Sequence, residues 1–182
     1  MSASRAERLF RRVDAAESRV CRSLNRGCDK PLVLGLFRAV SRLGDGIFWY
    51  CLMLLLPVIY GEAGLRASAQ MAVVAVAGVL VYKALKHHLV RERPYITQAG
   101  IFAGTPPLDR YSFPSGHTLH AVSFTMLAVA HFPVLGWVLI PFAVLIAASR
   151  VVLGLHYPTD VLAGGAIGAT LALAGQLLLT FA

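Results

Sequence analysis

The sequence predicts an all-α, polytopic membrane bundle of five to six transmembrane helices, preceded by an amphipathic helix. Three observations carry that prediction. Hydrophobic residues make up 57% of the chain and charged residues only 14%, with a mean hydropathy of +0.67, far from the balance of a water-soluble domain. The apolar residues come in runs rather than one-sided stripes. The charged residues collect in an N-terminal arm and in polar islands between the runs. Unbroken apolar runs of this kind read as helices, which satisfy their own backbone polar groups inside a bilayer. By length the chain is one domain, with a basic arm over 1–30 and a single membrane-embedded unit over 31–182.

In the arm, Arg5, Arg8, Arg11, Arg12, Arg19, Arg22, Arg26 and Lys30 alternate with Glu7, Asp14, Glu17 and Asp29. Leu9, Phe10, Val13, Val20 and Leu24 recur at roughly helical intervals, which predicts a helix lying on a membrane surface; a solvated basic arm is the plain alternative. Residues 31–43 are apolar but interrupted by Arg38 and Arg42, and short for a span, so a tilted half-span or second interfacial helix is expected. Gly44-Asp45-Gly46 breaks the chain. Ile47 to Tyr60 is a dense apolar run with aromatic residues at both ends, as suits two interfaces. Gly61 to Ser68 reads as a short polar turn, and Ala69 to Leu85 as the next span.

From Lys86 to Ser115 the chain is polar and Pro-rich, a loop of a length that is usually functional. His117 to Ser149 contains no acidic residue, lysine or arginine. It is too long for one span of about 20 residues, and His131-Phe132-Pro133 divides it in two. A polar island, Ser149 to Asp160, precedes a last span, Val161 to Ala182, that has no charge at all. Two spans separate the 86–116 loop from the island, so both are expected on one face of the membrane.

The net charge of +8 is not spread as a nucleic-acid-binding face, so anionic lipid is the expected partner and nucleic acid is not. Cys21, Cys28 and Cys51 have no metal-ligand spacing and an odd count, which predicts free thiols. No apolar leader followed by a cleavage site opens the sequence. An ionisable cluster beside membrane-type segments is a functional site by default. Three such clusters meet here: Lys86 with Arg93-Pro94, then Pro114-Ser115-Gly116-His117, then Ser149-Arg150 with His156 and Asp160. Lys86, Arg93 and Arg150 would neutralise a phosphoryl group and the charge that develops during its transfer. Ser115 and Gly116 open a helix whose free N–H groups favour an anion. Asp160, one turn from His156, would fix the imidazole tautomer and leave the other ring nitrogen free. His117 is placed to protonate a leaving oxygen.

These residues match the patterns K-x6-R-P, P-S-G-H and S-R-x5-H-x3-D in order and spacing. The sequence therefore resembles the type 2 phosphatidic acid phosphatase superfamily, which also takes in bacterial acid phosphatases and vanadium haloperoxidases. The resemblance covers about residues 80–165. It implies a phosphomonoesterase or pyrophosphatase that needs no metal or cofactor and works through a phosphohistidine. His156 would be the nucleophile, Asp160 its orienting group, and His117 the general acid and then the base. Lys86, Arg93, Ser115, Gly116 and Arg150 would hold the phosphate. Multi-span members act on lipid phosphates, so the implied substrate is a polyprenyl pyrophosphate or a glycerophospholipid phosphate. Lipid A phosphatase and a non-catalytic binder of anionic lipid are the alternatives.

The remaining polar residues receive plainer readings. His87, His88, His120 and His131 are expected to be packed or hydrogen-bonded. Lys83, Arg66 and Arg91 are expected to be snorkelling anchors, and Asp109 and Arg110 solvated loop residues, with contact to a substrate headgroup as their alternative. With the arm in the cytoplasm, five spans place the site inside and six place it outside. The resemblance favours a bacterial inner membrane with an outward-facing site.

Overall fold

The computed structural model describes residues 5–107 and 109–180. The first four residues of the predicted arm, Leu108 and the last two residues of the predicted final span lie outside the described residues, as do the side chains before Arg12, Leu9 and Phe10 included.

All regular structure among the described residues is helical. Helix α1 (Arg5–Asn25) runs into a 3-10 turn, Arg26–Asp29, and α2 (Pro31–Arg42) begins on Pro31, whose missing N–H is no loss at a helix start. Over Leu43–Ile47 the chain widens into a π-type turn in which Asp45 and Gly46 leave helical angles. Helix α3 (Phe48–His88) follows and is interrupted only at Gly61, with φ +58° and ψ −131°. There the chain folds back on itself. Ser68 Oγ donates to the Met53 carbonyl at 2.7 Å, and a Cβ on Gly64 would sit 2.0 Å from the Leu56 carbonyl oxygen. The left-handed φ at Gly61 is one that glycine adopts without cost.

The predicted polar turn over Gly61–Ser68 is thus corrected to a one-residue reversal. Residues 62–68 already form the start of the second arm of α3, where Arg66 bonds Glu62 one turn back at 2.7 Å. Polarity alone does not break a helix made of Glu, Ala, Leu and Arg, all good helix formers.

Beyond α3 lie the short α4 (Pro94–Thr97), then α5 (Gly116–His131), α6 (Gly136–Val152) and α7 (Pro158–Thr180). The expected break at 131–133 is present, filled by a 3-10 turn over Pro133–Leu135. Helix α5 is the axis of the bundle, packed on α3, α6 and α7. Its contact with α7 is closest, because a Cβ at Gly164 would lie 2.4 Å from the Ser115 carbonyl oxygen and one at Gly168 2.3 Å from that of Leu119. Two glycines four apart let helix backbones touch in this way. The core holds Trp49, Leu56, Met71, Leu127 and Ile146, while Trp137 is 85% exposed and Leu162 and Val58 also point outward. An apolar exterior of this extent suits lipid rather than water.

Three helical stretches are long and apolar enough to cross a membrane: 31–88, 133–152 and 158–177. The first contains three of the predicted elements, folded at Asp45-Gly46 and at Gly61. With 12 and 16 residues, α2 and α5 fall short of the about 20 that a straight span needs. By length and composition, then, three stretches qualify, the first of them holding α2 and both arms of α3.

Helix α1 is docked on the bundle rather than solvated. It buries Glu17, Ser18, Cys21 and Asn25, a polar stripe, and leaves Val13, Val20 and Leu24 exposed. Asn25 clamps the backbone of Phe102 through both its N–H and its carbonyl, at 3.1 and 3.0 Å, and donates to the Val152 carbonyl at 3.0 Å.

Candidate active site

Each cluster singled out in the sequence sits at an element end on one side of the bundle. Lys86 is on the last turn of α3, Arg93 just before α4, His117 on the first turn of α5 and Arg150 on the last turn of α6. His156 lies in the connection between α6 and α7, and Asp160 on the first turn of α7. Lys86, Arg93, Gly116, His117, Arg150 and His156 line one cavity of about 650 Å³. Trp49, Val79, Tyr82 and Phe124 give the same cavity an apolar wall.

His156 is 2% exposed, and its Nε2 lies 3.1 Å from Nη1 of Arg93. Arginine can only donate, so Nε2 presents its lone pair and the ring proton belongs to Nδ1. That nitrogen is 3.8 Å from Asp160 Oδ2, beyond hydrogen-bond reach, and it has no hydrogen-bond partner among the described residues. Burial, and then the charges of Arg150, Arg93 and Lys86, hold the imidazole well below its ordinary pKa. The ring is therefore neutral, the form in which a histidine attacks. Cys21 Sγ lies 3.9 Å from the His156 carbonyl oxygen. Burial and the neighbouring Glu17 and Asp160 carboxylates push its thiol up to about 12, so it is no rival nucleophile.

The three cations are held by different parts of the fold. Arg93 donates to the Leu155 carbonyl at 2.9 Å and to the carbonyl of Asp109 at 2.8 Å. Arg150 is buried and donates through Nη1 to Ser41 Oγ of α2, while its Nε meets no partner in the protein. Asp109 bridges the other two, with Oδ2 2.6 Å from Lys86 Nζ and Oδ1 2.9 Å from Arg93 Nη2. Burial raises the Asp109 pKa, but Lys86 and Arg93 outweigh it and hold the carboxyl below its usual range. Asp109 was expected in solvent. It is corrected to a pocket residue, and its carboxylate lies where two cations can also grip an anion.

Three further expectations change. Arg91 is not a snorkelling anchor: Nη1 donates to Asp160 Oδ1 and Thr159 Oγ1, both at 2.8 Å, and Nη2 to Glu17 Oε2 at 2.7 Å. Ser115 does not line the cavity. Its hydroxyl caps α5 through Thr118, and its N–H donates to the Asp160 carbonyl at 3.0 Å, so it braces the site from behind. Asp45, read in the sequence only as part of a chain break, reaches His117 Nε2 at 3.3 Å and lines the cavity. His120 is hydrogen-bonded to the Gly116 carbonyl at 3.0 Å, and His131 to Gln70 at 2.7 Å. Arg110 pairs with Glu92 at the surface. Among the described residues, no three His, Cys, Asp or Glu side chains are grouped to hold a metal ion.

Comparison with known proteins places this arrangement. The family model of the PAP2 superfamily matches residues 67–180. A decaprenylphosphoryl-5-phosphoribose phosphatase of Mycobacterium tuberculosis is 33% identical over 150 residues, covering 78% of each chain. An undecaprenyl-diphosphatase of Sulfolobus acidocaldarius is 27% identical over 135 residues, covering 74% of this chain and 65% of its own. The fold is shared with the crystal structure of a transmembrane PAP2-type phosphatidylglycerolphosphate phosphatase from Bacillus subtilis. The TM-score is 0.73 at 24% identity, over 91% of this chain and 85% of that one.

Proposed function

This chain belongs to the PAP2 superfamily, and we propose that it is a membrane lipid phosphatase that hydrolyses a polyprenyl-linked phosphate or diphosphate through a phosphohistidine, without a metal ion. The observation that carries this reading is convergence. Three stretches far apart in the chain deliver Lys86, Arg93, His117, Arg150 and His156 to one cavity, with the His156 lone pair inside it. With the substrate phosphate bound and His117 protonated beside Asp45, His156 Nε2 attacks phosphorus, the ester or anhydride P–O bond breaks, and His117 gives that proton to the leaving oxygen. His117 then takes a proton from water, which attacks the phosphohistidine; the P–N bond breaks and inorganic phosphate leaves. Lys86, Arg93 and Arg150 balance the charge on the equatorial oxygens in both steps.

The apolar wall formed by Trp49, Val79, Tyr82 and Phe124 supports a lipid substrate. The names of the relatives favour a polyprenyl carrier over a glycerophospholipid. We place the protein in a bacterial cytoplasmic membrane with the site facing outward. The test is phosphate release by purified protein in EDTA, from a polyprenyl diphosphate, a polyprenylphosphoryl sugar phosphate, phosphatidylglycerophosphate, phosphatidate and lipid A. Turnover concentrated on the polyprenyl substrates is expected. Activity that collapses in EDTA sinks the metal-free mechanism, and preference for another lipid sinks the substrate assignment.

Asp109 supplies a second expectation. Its carboxylate competes with the substrate phosphate for Lys86 and Arg93. It is 38% exposed, so the competition is worth no more than the about 1 kcal/mol of a partly solvated ion pair. Asp109→Asn should lower KM by about two- to fivefold, with kcat little changed, in steady-state kinetics on the preferred lipid.

A further inference from the structure

Behind His156, away from the cavity, lies a second polar network, whose Glu17 and Arg91 the phosphatase reading does not use. Glu17 of α1 is 6% exposed, and both of its carboxylate oxygens are engaged. Oε1 accepts the Thr159 N–H and Oε2 an Arg91 N–H, each at 2.7 Å. Arg91 spends its other arm on Asp160 Oδ1 and Thr159 Oγ1, and its guanidinium lies over the Tyr157 ring, 4.0 Å from the centroid. Asp160 is fully buried, and its Oδ2 accepts the Tyr157 N–H at 2.7 Å. A buried carboxylate persists as an anion only when paired and hydrogen-bonded. Arg91 is the cation that pairs this one, and Glu17 keeps Arg91 aimed inward. Without Glu17, Arg91 has the exposed Asp14, 3.8 Å away, and water to turn to.

We infer that Glu17 is a positioning residue for the nucleophile: through Arg91 it fixes Asp160, and through Asp160, which holds the Tyr157 N–H, it fixes the loop that carries His156. Helix α1 lies outside residues 67–180 matched by the family model, so this brace is supplied by the arm of this chain. The inference rests on the phosphatase reading for its kinetic consequence but not for its geometry. A carboxylate bonded directly to its imidazole is worth up to roughly 10⁴ in kcat in a serine-protease triad, an upper bound for Asp160, which acts on the His156 loop through the Tyr157 N–H. A residue acting on such a carboxylate at one remove should cost a fraction of that.

The test uses full-length protein carrying Glu17→Gln, Asp160→Asn or both, assayed on the lipid that the wild type hydrolyses, together with ring-nitrogen NMR of the histidines. Glu17→Gln should lower kcat about tenfold and leave KM within about twofold, because Lys86, Arg93 and Arg150 are untouched. On top of Asp160→Asn it should cost no more than about twofold further, since its route runs through that carboxylate. In the spectra, the His156 ring-nitrogen signals should shift and broaden as its loop loosens, with the Nδ1–H form that Arg93 sets retained. An unchanged kcat, or losses that multiply in the double variant, overturns the inference. A wild type that hydrolyses none of the lipids overturns the proposed function instead, and the spectra then decide the brace: an unchanged His156 signal in Glu17→Gln refutes it.

Discussion

His156→Ala should retain no more than about one part in 10⁴ of wild-type turnover on any lipid phosphate, with the protein still folded in detergent. The size of the loss follows from the geometry. The His156 lone pair is the neutral nitrogen nucleophile of the cavity, held by Arg93 at 3.1 Å, and without it a covalent step has no first bond to form. The ring is buried and its removal leaves a void, so His156→Gln serves as the near-isosteric companion and should be equally inactive. A thermal unfolding midpoint in detergent close to that of the wild type keeps the comparison clean. Retention of a tenth of the activity in either variant is incompatible with attack by His156.

The second large effect concerns His117, and it depends on the leaving group. A general acid contributes about 10² to 10⁴, so His117→Gln should cut steady-state turnover of an alkyl phosphate ester by that factor. An aryl phosphate such as p-nitrophenyl phosphate has a leaving group that needs no proton. There the first turnover should survive as a burst, followed by a slow phase in which water attacks the phosphohistidine without a base. Rapid-mixing kinetics separates the two phases. If the burst is lost to the same degree as the steady state, His117 does not act as the proton donor. Asp45, 3.3 Å from its Nε2, is the carboxylate placed to hold that ring.

The parts of this account that the sequence disclosed are those whose residues announce themselves by spacing. Lys86, Arg93, His117, Arg150, His156 and Asp160 stand in three short patterns, and the fold brings all but Asp160 to the cavity wall, with Asp160 directly behind. The helical bundle was legible from the apolar runs. What escaped the sequence was pairing over distance. Arg91 and Glu17 are 74 residues apart, and Arg91 and Asp160 69. Beside a membrane span, a lone arginine bound for a buried carboxylate looks the same as one bound for lipid headgroups. Asp109, alone in a Pro-rich loop, carried no sign that it would bridge Lys86 and Arg93.

The inward face of the arm was hidden for a related reason. In α1 the periodic residues Val13, Val20 and Leu24 point outward, and the packed face is Glu17, Ser18, Cys21 and Asn25. Where lipid surrounds a protein, an outward face is free to be apolar and the inward one polar. The exact extent of each helix was not legible in the apolar runs. The reversal at Gly61 needs one residue, and α5, at 16 residues, owes its central place to its packing on α7 across Gly164 and Gly168.

The central claim is that phosphate passes through His156, and the direct measurement is to catch it there. Enzyme is mixed with substrate carrying radiolabelled phosphorus, quenched in alkali within the first turnover, and mapped by peptide mass spectrometry, with His117→Gln used to slow breakdown of the intermediate. The account predicts label that is stable in alkali, lost in acid and confined to the peptide containing His156. Turnover with no trapped label under burst conditions, or label on any other residue, would contradict it.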